Sequence, residues 1–177
     1  MSIRKMAMIA MMACILTVCS WLTVPAPVPF TMQTFAVFCG LLLLGGRSGL
    51  AAVALYVIMG CVGLPVFSGF QGGVGHIVGP TGGFIFGFIF TAVFYLLFEP
   101  VFAKAGKLRL PVLTGGLMIC YLVGTVWFRV VMETRGTSYA FGAAFSICVL
   151  PYIVPDLAKL ALAWFVANRL RKAVPDL

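Results

Sequence analysis

The chain has almost no acid. Of its 177 residues only four are Asp or Glu and one is His, so the groups that most often move protons or hold metals are nearly missing. No Ser-His-Asp set, no HExxH and no pair of catalytic carboxylates can be assembled from so few. There is no P-loop, so the chain cannot energise a process with ATP by itself. There is no CxxC spacing either. The six cysteines, Cys14, Cys19, Cys39, Cys61, Cys120 and Cys148, are scattered through apolar runs and read as small, soft hydrophobes. No low-complexity tract or clear internal repeat is visible, and the paired broken helices of an inverted-repeat transporter are missing. These absences predict a protein that is not an enzyme and needs no cofactor or metal. The lone His76 reads as an incidental loop residue.

What the chain does have is apolar length. It is 63% hydrophobic and 9% charged, more apolar surface than a water-soluble domain of this size can hide, which predicts an integral membrane protein in a lipid bilayer. Apolar segments run at about 6–24, 31–46, 49–64, 83–103, 110–132 and 156–170, each a candidate span of roughly 20 residues or fewer. The first follows Arg4 and Lys5, like a signal peptide. It reaches Val24 without a small-x-small cleavage site, so it reads as a retained first helix.

The net charge of +8 does not indicate nucleic acid, because the cations sit in short clusters between apolar spans. With six spans, Arg4, Lys5, Arg47, Lys104, Lys107, Arg109, Arg169, Arg171 and Lys172 fall on one side. The positive-inside rule makes that side cytoplasmic and places both termini there. The expected architecture is therefore an all-α, compact six-transmembrane-helix bundle, residues 1–177 forming a single membrane domain.

Three connections on the opposite side are unusual. Val24-Pro25-Ala26-Pro27-Val28-Pro29-Phe30 forbids a continuous helix and favours an extended segment. Residues 65–82 are rich in glycine and too weakly charged for an ordinary solvated loop; irregular backbone at this depth must line protein or a cavity. Residues 138–150 are apolar, with Pro151 and Pro155 before the last span. Gly79, Gly83, Gly87 and Thr91 recur every four residues and predict a close helix–helix seam.

Polar residues inside this apolar setting are the candidate site. Asp156 and Lys159 lie one turn apart. With Pro155 starting the helix, Asp156 would sit in the first turn, where the dipole favours a carboxylate. A helix from 156 to 172 is about 25 Å long, which places both charges toward the external side. Ionisable groups in membrane helices face a cavity or each other, so a ligand site and a self-neutralising pair both remain open. Gln33, with Thr31 and Thr34 nearby, and Gln71 are neutral donors and acceptors suited to an amide- or urea-like group. Tyr152 offers a ring and a hydroxyl. Arg129 and Glu133, spaced i,i+4, predict an interfacial ion pair.

The run Val28-Pro29-Phe30-Thr31-Met32-Gln33-Thr34 resembles the start of the second helix in the BioY family, the biotin-binding S components of energy-coupling factor transporters. Gly63-Leu64-Pro65-Val66-Phe67-Ser68-Gly69, Gly79-Pro80-Thr81-Gly82-Gly83-Phe84 and Pro151…Pro155-Asp156…Lys159 are similar to the same family in order, over nearly the whole chain. The resemblance implies an S-component fold in the bacterial cytoplasmic membrane that captures biotin from outside. It implies that Asp156 accepts from the ureido N–H groups and that Gln71 helps to hold the same ring. Lys159 would neutralise the site or meet the valerate carboxylate. Gln33, Thr81 and Tyr152 would contribute further contacts, with Val66 and Phe67 covering the sulfur ring and chain. It also implies a toppling movement driven by a transmembrane T component and two ATPase subunits. They would dock on small residues of the first helix, here Ala7, Ala10, Ala13 and Cys14. Alternatives are an S component for another vitamin, or a structural or assembly membrane subunit.

Overall fold

The computed structural model describes residues 2–26, 28–104 and 106–173; Pro27 and the side chain of Lys104, named above, lie outside the described set. The chain order is α1 (Ile3–Trp21), β1 (Thr23–Val24), β2 (Phe30–Thr31), α2 (Gln33–Cys61), α3 (Val74–Ile77), α4 (Gly82–Lys104), a 3-10 turn (Gly106–Leu108), α5 (Arg109–Thr134), α6 (Phe141–Cys148) and α7 (Leu150–Ala173). Among the described residues five helices, α1, α2, α4, α5 and α7, are long and apolar enough to cross a membrane. Their composition explains their form, since apolar surroundings leave backbone groups no partner outside their own helix.

The second helix is folded back on itself. Gly45 has φ 79° and ψ 174°, outside the helical region and in the half of backbone space that glycine enters most readily. Gln33 Nε2 donates to the Tyr56 hydroxyl, although a straight helix would hold these residues about 34 Å apart. Gly49 lies so near the first arm that a Cβ there would stand 3.1 Å from Leu41 Cα. The Glu99 carboxylate of α4 accepts from Gly46 N at 3.1 Å, capping the second arm. The segments expected at 31–46 and 49–64 are thus the arms of one helical hairpin, which packs against α1, α4 and α7.

Three of the four stripe positions, Gly83, Gly87 and Thr91, lie on α4 and form a seam with α5, while Gly79 precedes the helix and packs against its own loop at His76 O. A Cβ on Gly83 would stand 2.2 Å from Trp127 Cβ and 3.1 Å from Gly124 Cα, and one on Gly87 would stand 3.0 Å from Cys120 Cα. Thr91 Oγ1 donates to Gly116 O at 2.8 Å. Descending partners on α5 for ascending positions on α4 make the pair antiparallel.

The last helix differs from expectation. α7 begins at Leu150 and runs through both prolines. Pro151 falls in the first turn, where a missing N–H costs nothing; Pro155 then lies inside the helix and loses one bond. Asp156 therefore stands in the second turn, and the dipole contributes less than first-turn placement promised. Nor do Arg129 and Glu133 form an ion pair: among the described residues the one ion pair is Lys159–Asp156.

The irregular connections gather at one end. β1 and β2 pair antiparallel, Thr23 with Thr31 and Val24 with Phe30. The proline segment is non-helical, as expected, but it is extended only at its ends, Val24 and Phe30, and turns back between them. The glycine-rich loop is pinned to α1: Trp21 Nε1 donates to Pro65 O at 2.9 Å and Ser20 Oγ donates to Val66 O. At the other end Arg4, Lys5 and Arg171 line a shared cavity with Gly45 and Ser48, which brings the start of α1, the end of α7 and the hairpin bend together.

Candidate functional site

A cavity enclosing about 630 Å³ of empty space, its open mouth included, lies between the hairpin α2, the glycine-rich loop, α4, α5 and α7. Its polar centre is Asp156, 4% exposed, and Lys159, 6% exposed. Lys159 Nζ donates to Asp156 Oδ1 at 2.8 Å and to Thr31 O at 2.6 Å, and lies 3.9 Å from the centre of the Phe30 ring. Of the three N–H donors of the ammonium, two are spent on these hydrogen bonds, and the charge as a whole is attracted by the Phe30 ring.

Asp156 is not fully used either. Oδ1 also accepts from Thr34 Oγ1 at 2.9 Å, and Oδ2 accepts from the Tyr121 hydroxyl at 2.7 Å. A carboxylate offers about four acceptor positions, and three are taken. Because the pair is buried and mutually neutral, the low-dielectric surroundings strengthen its contacts while net charge stays near zero. One acceptor position on Oδ2 remains for a ligand N–H.

Gln33 stands beside this pair. Its Oε1 accepts from Thr31 Oγ1 at 2.9 Å and its Nε2 donates to Tyr56, leaving one amide N–H and one oxygen lone pair. Thr81 and Ser68 add hydroxyls to the lining, and Phe67, Phe84, Ile85 and Phe88 add apolar wall. Tyr152 is on the wall too, but its hydroxyl donates to Val28 O and its ring stacks near Phe30, 6.3 Å between centres. What is left is a few fixed donors and acceptors inside an apolar enclosure, the form of a site for a small, largely neutral molecule with a polar head. Among the described residues no group of three or more His, Cys, Asp or Glu is placed to hold a metal ion, and all six cysteines are free thiols.

Asp156, Lys159, Gln33, Thr81, Tyr152 and Phe67 are thus brought to one cavity. Val66 and Gln71 do not line it. The Val66 side chain is buried in the core. Gln71 accepts from His76 Nδ1 at 2.7 Å, so it holds His76, which does line the cavity. His76 is therefore not incidental: its ring stacks on Phe67 at 5.2 Å, and burial lowers its pKa below the usual histidine value. Phe67 in turn needs Gly60, where a Cβ would stand 1.9 Å from the ring. Two further residues join the site: Thr34, noted in the sequence only as a neighbour of Gln33, and Tyr121, which sequence reasoning missed. Thr34 carries a signal, being a hydroxyl next to Gln33 at the start of an apolar helix. Tyr121 carries none, being one phenol in an apolar helix.

On α1, Ala7, Ala10 and Cys14 are exposed along one face. Ala13 is not: it is 1% exposed, inside the core, and its carbonyl accepts from Thr17. The helix turns Ala13 inward, away from the exposed stripe, so it is removed from the docking set.

A sequence model of the BioY family matches residues 1–176. A protein of Thermotoga maritima named "Biotin transporter BioY" is 38% identical over 171 residues, covering 96% of each chain. One of Pyrococcus horikoshii named "Probable biotin transporter BioY" is 36% identical over 172 residues, covering 97% of this chain and 98% of the relative. Among solved structures, a 2.1 Å crystal structure of the S-component for biotin from an ECF-type ABC transporter superposes with a TM-score of 0.83 at 23% identity. It covers 96% of this chain and 92% of that one, a likeness of fold.

Proposed function

The chain belongs to the BioY family, and from that membership we propose that it captures biotin at the cavity around Asp156 as a multi-pass membrane S component. The observation that carries the reading is the Asp156–Lys159 pair, buried beside Gln33 with one carboxylate acceptor position unspent. Biotin presents a urea-like head, an apolar bicyclic body and one carboxylate. Asp156 Oδ2 accepts one ureido N–H, the spare lone pair of Gln33 Oε1 accepts the other, and the spare Gln33 amide N–H donates to the ureido oxygen. Thr81 and Ser68 complete the polar rim. Phe67, Phe84 and Phe88 enclose the apolar body, with Tyr152 on the same wall. Lys159 acts by holding the Asp156 carboxylate in place, and Gln71 by holding His76.

In this reading the single membrane domain crosses the bilayer six times, the hairpin α2 supplying two crossings, with both termini cytoplasmic. The grouping of Arg4, Lys5 and Arg171 at one end and the cavity toward the other support that orientation. A transmembrane T component docks on the exposed Ala7, Ala10 and Cys14 face, and two ATPases energise uptake. Accumulation of labelled biotin in cells whose own biotin uptake is deleted tests the reading. Expression of this chain with partner subunits should restore accumulation, and unlabelled biotin should abolish it. Accumulation competed by a different vitamin and not by biotin would refute it.

A further inference from the structure

Biotin carries a negative charge at its valerate end, and the inner cavity has no cation left to meet it. Lys159 donates to Asp156 and Thr31 O and lies against the Phe30 ring, and its charge is cancelled by Asp156. A second carboxylate brought beside this neutral pair would be buried without a counter-charge, which is costly.

A second cavity adjoins the first. The two share Pro29, His76 and Thr81 as wall, and the outer one is also lined by Gln71, Gly79 and Arg135. Arg135 ends α5 as its C-cap residue, is exposed, and takes no part in an ion pair. Among the described residues it is the only Lys or Arg lining either cavity apart from Lys159. A planar guanidinium at the rim suits a carboxylate, which it meets with two parallel hydrogen bonds.

Building on the biotin reading, we propose that Arg135 receives the valerate carboxylate in the outer cavity, and that Lys159 does not. The ligand then lies across the shared wall, its ring inside against Asp156 and its chain passing His76 and Thr81 outward. The role of Lys159 is confined to holding Asp156. Arg135 sets preference for the anionic vitamin over neutral derivatives.

The test compares biotin with its neutral primary amide on purified full-length protein in detergent, as wild type, Arg135→Gln and Arg135→Lys. Wild type should bind biotin at least about tenfold more tightly than the amide. Arg135→Gln should lose about that factor for biotin and nothing for the amide, and Arg135→Lys should keep part of the difference. Raising salt should weaken biotin binding to wild type and leave Arg135→Gln almost unchanged, because a rim charge is screened. Melting temperatures should be equal, since Arg135 is exposed and unpaired. Arg135→Gln binding both ligands as wild type does, or losing both equally, overturns the assignment. So does a wild type that binds both alike, a result that leaves biotin capture standing. A wild type that binds neither ligand refutes the biotin reading itself, and this one with it.

Discussion

Replacing Asp156 by asparagine separates the two jobs the carboxylate has. In the wild type its oxygens take Lys159, Thr34 and Tyr121. The Asp156→Asn variant would leave the Lys159 ammonium, 6% exposed, without its counter-charge, with only neutral partners: Thr31 O, a ring face and the amide oxygen of the new side chain. Breaking a buried pair by removing one partner costs about 3–5 kcal/mol, roughly 6–20 °C of melting temperature for a chain of this length. Adding Lys159→Met removes the stranded charge, and a buried ion pair replaced by neutral groups of similar volume loses little stability. The double variant should therefore melt near wild type. Binding should follow a different order. The hydrogen bond from ligand N–H to a charged carboxylate contributes about 1.5–3 kcal/mol, so both the single and the double variant should bind biotin about 10- to 150-fold more weakly. Thermal unfolding in detergent and calorimetric titration read the two quantities on the same preparations. A double variant that melts like wild type and also binds biotin like wild type would refute the reasoning, because the pair would then only fasten α7 to β2 and α2.

Other expectations follow from the packing and the loops. Gly83→Val places a side chain 2.2 Å from Trp127 Cβ and should separate α4 from α5, costing more than about 3 kcal/mol. Gly142→Ala, with no atom within 4 Å of the added Cβ, should leave the melting temperature unchanged. Both are read by folded yield and melting. The pKa of His76 is lowered by burial, so the unfolded chain takes up a proton first as pH falls. The stability contributed by neutral His76 is present above its ordinary value of about 6.5 and is lost below it. Melting temperature should decline as pH drops below that point, and His76→Gln should flatten the decline. Ala10→Trp, on the exposed face of α1, should spare biotin binding and impair uptake when partner subunits are present; uptake equal to wild type would remove that face from docking.

Much of the architecture is legible in the sequence because membrane spans announce themselves by apolar length. The α4–α5 seam is equally plain, since four-residue spacing of small residues has one main physical use. Other features are hidden for specific reasons. The reversal at Gly45 sits in a run of leucines and glycines with no proline or charge before Arg47, so spacing shows two segments but not that they fold against each other. The start of α7 reads too late because Pro155 looks like a first-turn proline, and only tertiary contact shows that Leu150 already opens the helix. Asp156, Lys159 and Gln33 stand out because polar groups are expensive in apolar helices. Gln71 is a candidate from its amide and from family likeness, and Val66 from family likeness alone; neither side-chain chemistry nor sequence position shows whether a residue faces the cavity or its neighbour. Tyr121 hides because a phenol in an apolar helix looks like any aromatic until its hydroxyl is seen on Asp156.

Titration of biotin into the purified wild-type protein tests biotin capture most directly. A dissociation constant tighter than about 1 μM, equivalent to about −8.2 kcal/mol, is expected for biotin, with no comparable binding of other vitamins. Binding weaker than that for biotin, together with tight binding of a different vitamin to the same preparation, would contradict it.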